Sequence, residues 1–289
     1  VAAKLTACMA QTLNDIKRLL ADHGLHPKKK FGQNFLHDGN HLRKILDAAR
    51  LAPGDLVLEV GPGTGALTER LVDEGARVVA VEIDRDMQPI LEERLGDKIT
   101  LYIGDALDGK HAINGEVIAL LNNPSTTSHI AHRTSNIPFK LIANLPYNIA
   151  SPLLANLAVD HPAMTGAVVM IQKEVADRLL SPPGSKAYGP LGVLIQALFE
   201  VQRVCVLSPG CFYPPPSIDS AVVAMHRRAQ PKCDDAHKLG ELLHKLFSKR
   251  RKQLGAILGR DTELPAGVEI TMRPEQLTVE QLCELARTS

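Results

Sequence analysis

The chain has 289 residues, 45% hydrophobic and 22% charged, with 3% aromatic residues and no Trp, which excludes a disordered or collagen-like chain and requires a core of mainly Leu, Val, Ile and Ala. That length predicts one large α/β domain with a smaller appendage. The net charge of +1 hides two basic lobes, residues 1–50 with nine Lys/Arg against four Asp/Glu and residues 225–260 with ten against three, around an acidic middle, a pattern that suggests a polyanion clamp rather than a small-molecule enzyme.

In chain order, Leu13, Ile16, Leu19 and Leu20 recur at helical spacing and Gly24 follows as a stop, so the first element is a helix. Asp15, Lys17 and Arg18 interrupt its apolar face, which argues against a signal peptide. The basic tract His26-Pro27-Lys28-Lys29-Lys30 comes next, then Phe31-Gly32-Gln33-Asn34-Phe35-Leu36 as a loop into a helix over about 39–51. Leu56–Val60, the turn Gly61-Pro62-Gly63-Thr64-Gly65, a helix over Leu67–Glu74 and a strand at Arg77–Val81 make a βαβ unit. Apolar runs at Ile99–Ile103, Lys140–Ala143, Ala167–Ile171 and Val201–Val206 extend the pattern to a largely parallel, doubly wound sheet. Asp108–Pro138 reads as mostly loop, and its His129 and His132 read as surface residues rather than a metal pair. After Met225 the composition turns basic and helical, with Leu239, Leu242, Leu243, Leu246 and Phe247 on one face and further helices at Gln253–Leu258 and Val279–Ala286. The expected division is residues 1–229 as a catalytic domain and 230–289 as a small all-helical domain. The five scattered cysteines contain no C-x-x-C pair, which disfavours a disulfide framework or zinc ribbon and suits a reducing, cytoplasmic setting. No apolar run approaches the ~18 residues of a membrane span.

Three turns at successive strand ends carry the chemistry. The glycines after Glu59-Val60 allow a ligand to approach the backbone, but the third Gly comes one residue too early for a dinucleotide fingerprint. Glu82, 21 residues after Gly61, is placed to accept from two ribose hydroxyls, and Asp105 in Gly104-Asp105-Ala106 from an adenine amine. Together they fit S-adenosylmethionine better than a nicotinamide cofactor. Asn144-Leu145-Pro146-Tyr147 follows the fourth strand. An exocyclic amine is a poor nucleophile because its lone pair is delocalised into the ring; the Asn144 side-chain oxygen and the Leu145 or Pro146 carbonyl could accept its N–H bonds and localise that pair. Tyr147 could stack on the base, and Phe212, in the proline-braced loop Cys211–Ser220, could cover its other face. Such a transfer needs no metal.

Phe31-Gly32-Gln33-Asn34-Phe35-Leu36, Glu59-Val60-Gly61-Pro62-Gly63-Thr64-Gly65, Asn144-Leu145-Pro146-Tyr147 and Phe212-Tyr213-Pro214-Pro215-Pro216 occur in the order of the ribosomal RNA adenine dimethyltransferases, the KsgA family, which the chain resembles over about residues 13–258. The resemblance implies a Rossmann-like class I methyltransferase sheet, S-adenosylmethionine as cofactor, and transfer of four methyls to two adjacent adenosines near the 3′ end of small-subunit ribosomal RNA during ribosome maturation. It also implies a cytoplasmic monomer. Carried over residue by residue, the cofactor contacts fall on Asn34, Leu36, Gly61, Gly63, Glu82, Asp105 and Asn144, the amine-holding segment on Asn144 to Tyr147, and base stacking on Phe212. Lys249-Arg250-Arg251-Lys252 resembles the family's basic C-terminal helix, an RNA contact. The chain departs from the family pattern in a longer stretch between Asp105 and Asn144 and in the tail after Gly259. Two alternatives stay open: a large-subunit ribosomal RNA methylase of the antibiotic-resistance type, where Ile more often follows the Asn, and a noncatalytic RNA-binding assembly factor on the same scaffold. A DNA adenine methylase would more typically carry Asp-Pro-Pro-Tyr.

Overall fold

The computed structural model describes residues 11–123, 137–259 and 261–288. Seven strands form the central sheet: β1 (Leu56–Val60), β2 (Arg77–Glu82), β3 (Ile99–Ile103), β4 (Phe139–Asn144), β5 (Met164–Gln172), β6 (Phe199–Leu207) and β7 (Ser220–Arg227). Their order is β3-β2-β1-β4-β5-β7-β6. The first five run parallel, while β7 pairs antiparallel with both β5 and β6. The parallel centre explains the uninterrupted apolar runs: helices cover both faces, so β1 is buried at every position. The chain starts in the middle of the sheet, works outward to β3 and returns to β4 on the other side of β1, which opens a crevice beyond the carboxyl ends of β1 and β4.

One face buries Leu42, Ile45, Leu67 and Leu71 from the helices Gly39–Ala49 and Ala66–Asp73. The other carries helices Gly115–Asn122, Ala150–Asp160, Lys173–Leu180 and Pro190–Leu198. The first of these corrects the reading of 108–138 as mostly loop. Val117, Ile118, Ala119 and Leu121 are buried while only Gly115 and Glu116 are exposed, so this two-turn helix is too short and too apolar for its 3.6-residue period to be read. The centre of that segment, with His129 and His132, lies outside the described residues.

The N-terminal helix Leu13–Asp22 opens on a reciprocal cap between Thr12 and Asp15. Its Ile16 and Leu20 pack with Phe35 and with Ile90, Leu91 and Leu95 of the helix Gln88–Leu95. Beyond β7, Asp235 caps the helix Ala236–Phe247, which is followed by helices Leu254–Leu258 and Val279–Thr288. Their leucines join the same buried cluster as Tyr188 and the helix Pro190–Leu198, and the Tyr188 hydroxyl donates to the Leu277 carbonyl at 3.0 Å. None of the described helices is long and apolar enough to cross a membrane.

Candidate active site

A cavity of about 230 Å³ sits over the crevice, lined by the Gly61–Thr64 turn, the ends of β2 and β3, Asn144–Ile149 and the Lys30–Leu36 segment. Gly61 and Gly63 hold φ values of 77° and 56°, where side chains are strained. A Cβ on Gly63 would also lie 2.8 Å from the Phe35 ring, so that position is closed to other residues twice over.

Glu82, 4% exposed, organises one wall. Its Oε2 accepts the Gly63 N–H at 3.1 Å and its Oε1 the Asp84 N–H at 2.8 Å. Burial pushes its carboxyl upward, and the two backbone donors oppose that rise. Asp84 in turn accepts from Lys28 Nζ at 2.6 Å and from Gln33 Nε2 at 2.8 Å. These bonds pin the Lys28–Leu36 segment over the glycine turn. Lys28 also pairs with Asp86, and both acidic partners hold its ammonium above the usual lysine range. It is therefore committed to the fold, which removes it from the basic lobe assigned to a polyanion.

The opposite wall starts at the end of β4. Asn144 Nδ2 donates to the Asn34 carbonyl at 3.0 Å, which ties the amide nitrogen down and leaves Oδ1 as the acceptor. The Leu145 N–H donates to the Met170 carbonyl at 3.0 Å and the leucine side chain is buried. The Pro146 carbonyl already accepts the Ile149 N–H at 3.2 Å. Tyr147 lines the cavity with its hydroxyl 2.6 Å from Ser220 Oγ at the start of β7, and burial raises its phenol. Asp105 lies at the rim, Oδ1 accepting the Leu107 N–H at 2.9 Å.

Asn34, Leu36, Gly61, Gly63, Glu82, Asp105 and Asn144–Tyr147 thus share one cavity, whereas Phe212 does not line it. Phe212 is 3% exposed, paired with Leu36 in a two-residue ladder, and packed in the core cluster behind that wall. The short strand takes its apolar ring inward, so the expectation that it faces a base is corrected to a backing role. The basic run needs a correction too. Lys249–Lys252 lies in the turn after helix Ala236–Phe247, not on a helix. Lys249, Arg251 and Lys252 are exposed, but Arg250 donates to the Ser185 and Lys186 carbonyls at 3.0 and 2.9 Å and sits 3.8 Å from Glu275.

Sequence reasoning passed over Glu59. It is 2% exposed in β1, lines the cavity, and its Oε2 has no hydrogen-bond partner among the described residues. Burial raises its carboxyl to about 8; the Thr68 hydroxyl opposes the rise and the Glu82 charge adds to it. The available signal was a lone acid in an otherwise apolar strand directly before the glycine turn. A cofactor with N–H or O–H donors would satisfy this acceptor, as would be expected of the ribose and amino groups of S-adenosylmethionine. The folded protein keeps a proton on Glu59 that the unfolded chain releases near 4.5, so stability falls as pH rises from there to about 8. Glu59→Gln should flatten that slope by up to a few kcal/mol across the window. Urea unfolding of the ligand-free protein at pH 5 and pH 8 measures it, and equal slopes in both proteins would remove Glu59 as the cause.

The sheet order, the crevice at its switch point and the acidic side chains of Glu59, next to the end of β1, and Glu82, at the end of β2, define a Rossmann-like methyltransferase. The chain belongs to the ribosomal RNA adenine dimethylase family, whose model matches residues 24–288. The match corrects the expectation that the tail after Gly259 falls outside the pattern. The ribosomal RNA small subunit methyltransferase A of Syntrophotalea carbinolica is 42% identical over 272 residues, covering 90% of this chain and 96% of the relative. The protein of the same name from Thermotoga maritima is 37% identical over 268 residues, covering 92% and 86%. Among solved structures, a dimethyladenosine transferase from Plasmodium falciparum superposes with a TM-score of 0.68 at 26% identity, covering 87% of this chain and 95% of that one. The 23S rRNA methyltransferase ErmE gives 0.61 at 26% identity, covering 88% and 100%.

Proposed function

We propose that this chain uses S-adenosylmethionine to dimethylate the exocyclic amines of two adjacent adenosines near the 3′ end of small-subunit ribosomal RNA during ribosome maturation. The observation that carries the reading is the convergence of the Asn144–Tyr147 turn and the Glu59 and Glu82 carboxyl groups on one cavity. The cofactor, when bound, supplies an electrophilic methyl on a sulfonium, a leaving group that needs no metal activation. Glu82 would accept from the ribose hydroxyls with the lone pairs not used by Gly63 and Asp84, and Asp105 at the rim from the adenine amine. Asn144 Oδ1 and the Leu145 carbonyl would accept the two N–H bonds of the target amine, since the Pro146 carbonyl is engaged by Ile149. Each bond strengthens as the nitrogen gains positive charge, so the site stabilises the transition state more than the bound base. Tyr147, its ring fixed through Ser220, would stack on the extruded adenine.

The small-subunit substrate is supported over the large-subunit alternative by relatives of that name at 35–42% identity over nine tenths of the chain or more. The intact cavity favours an enzyme over a noncatalytic assembly factor. Immature small subunits from cells lacking the modification should gain dimethyladenosine, read by mass spectrometry, when incubated with this protein and S-adenosylmethionine. Methylation of large-subunit RNA instead, or of neither, overturns the reading.

We further propose that the protein acts as a cytoplasmic monomer and that residues 230–289 form its RNA-binding part, divided from residues 1–229 after β7, where strand gives way to helix. The exposed Lys249, Arg251 and Lys252 would meet phosphates. Neutralising these three should lower the log–log salt slope of RNA binding by roughly 0.7–0.9 per lost contact. Adding Arg250 should lower thermal stability as well, because it anchors the 185–186 loop. A salt slope equal to wild type in the triple variant would return these residues to ordinary solvated surface.

A further inference from the structure

We propose that Asp38, His41 and Cys211 form a zinc-binding site that clamps the segment walling the cavity to the loop behind it. Among the described residues this is the one group of three His, Cys, Asp or Glu side chains with ligand atoms all within 4.8 Å of one another, and all three are half-buried. His41 Nδ1 lies 3.2 Å from Asp38 Oδ1 and 3.9 Å from Cys211 Sγ, and Cys211 Sγ lies 4.0 Å from Asp38 Oδ2. A tetrahedral zinc with Zn–S of about 2.3 Å and Zn–N or Zn–O of about 2.0–2.1 Å holds its donors roughly 3.3–3.6 Å apart, so the imidazole and the thiol close with a shift of a few tenths of an ångström, and a turn of the Asp38 carboxylate brings one oxygen to both. A thiolate, an imidazole and a carboxylate together suit zinc far better than magnesium or calcium, which take oxygen donors.

The backbone brings the three together before any metal arrives. Leu36 pairs with Phe212, and the His37 N–H continues that ladder by donating to the Cys211 carbonyl at 3.1 Å. Asp38 then caps the helix Gly39–Ala49 through Oδ1, which accepts from the Asn40 and His41 N–H groups and leaves Oδ2 turned to the thiol. His41, in the first turn of that helix, points its ring to the same spot. On binding, the Cys211 S–H bond gives its proton to solvent and the His41 proton resides on Nε2, so that thiolate sulfur, Nδ1 and a carboxylate oxygen each donate a pair to the ion. The fourth position falls to water or to Ser208 Oγ, 4.0 Å from Cys211 Sγ. The clamp would join the Asn34–Leu36 wall to the 208–213 loop behind it.

Metal-free protein should take up one equivalent of Zn²⁺ and unfold at a higher temperature with it. Co²⁺ in its place should show a thiolate charge-transfer band and the intense visible bands of tetrahedral coordination. Cys211→Ser should abolish the charge-transfer band, and Cys211→Ser and His41→Gln should each weaken Zn²⁺ binding at least tenfold. Asp38→Asn keeps an oxygen for the helix cap and should weaken binding without loss of cooperative unfolding, which separates metal ligation from folding. Failure of the wild-type protein to bind Zn²⁺, or affinity unchanged in all three variants, overturns the site.

Discussion

Asn144→Ala should lower the single-turnover rate of methyl transfer roughly 100- to 1,000-fold while RNA affinity stays within a few-fold of wild type. The rate loss corresponds to ~3–4 kcal/mol, as for the removal of one preorganised acceptor from a developing charge. Asn144 is prepared for that role by its other end: Nδ2 is held on the Asn34 carbonyl at 3.0 Å, so Oδ1 need not reorient when the amine arrives. Most RNA affinity, by contrast, should come from phosphate contacts far from the cavity, which the substitution leaves in place. The substitution also frees the Asn34 carbonyl, at about 1 kcal/mol of stability, which unfolding measurements on the same preparation will register. Single-turnover methylation of immature small subunits at saturating cofactor, with filter binding alongside, checks both halves. A rate within a few-fold of wild type would remove the tetrapeptide as the amine site, and a parallel collapse of binding would assign Asn144 to the fold instead.

Glu82→Ala should weaken S-adenosylmethionine binding by on the order of 1–3 kcal/mol and lower the melting temperature at the same time. Both effects follow from one carboxylate: its two oxygens hold the Gly63 and Asp84 N–H groups at 3.1 and 2.8 Å. Deleting it strands two buried donors and loosens the glycine turn on which the cofactor would rest. Glu82→Gln restores one acceptor and should recover part of the stability with less of the affinity, since the amide nitrogen presents donors where the ribose also presents them. Calorimetric titration and thermal unfolding of the two variants separate the effects. Unchanged affinity in a folded Glu82→Ala protein would remove the ribose assignment.

The elements that repeat within a few residues were readable from the chain alone. The period of Leu13, Ile16 and Leu20, the buried run Leu56–Val60 and the glycine turn after it are local patterns that sterics and burial impose wherever they occur. The order of turns at strand ends was therefore enough to gather Glu82, Asp105 and Asn144 into one expected site. Where an element is short and mostly buried that signal fades. The helix Gly115–Asn122 has a single exposed charged residue, Glu116, to mark its period, and Phe212 carries the same letter whether its ring meets a ligand or the core. Charge was equally ambiguous: Lys28 and Arg250 read as surface cations until Asp84, 56 residues away, and the 185–186 carbonyls, 64–65 residues away, were seen to hold them. The same holds for the bond from Asn144 to Asn34, 110 residues apart, for the meeting of Cys211 with Asp38 across 173 residues, and for the raised carboxyl of Glu59. Residue type and spacing govern what the backbone does over one turn or one strand. Which side chains share a low-dielectric enclosure is decided only when sheet order and helix packing close it, and the site's acidities and hydrogen bonds follow from that closure.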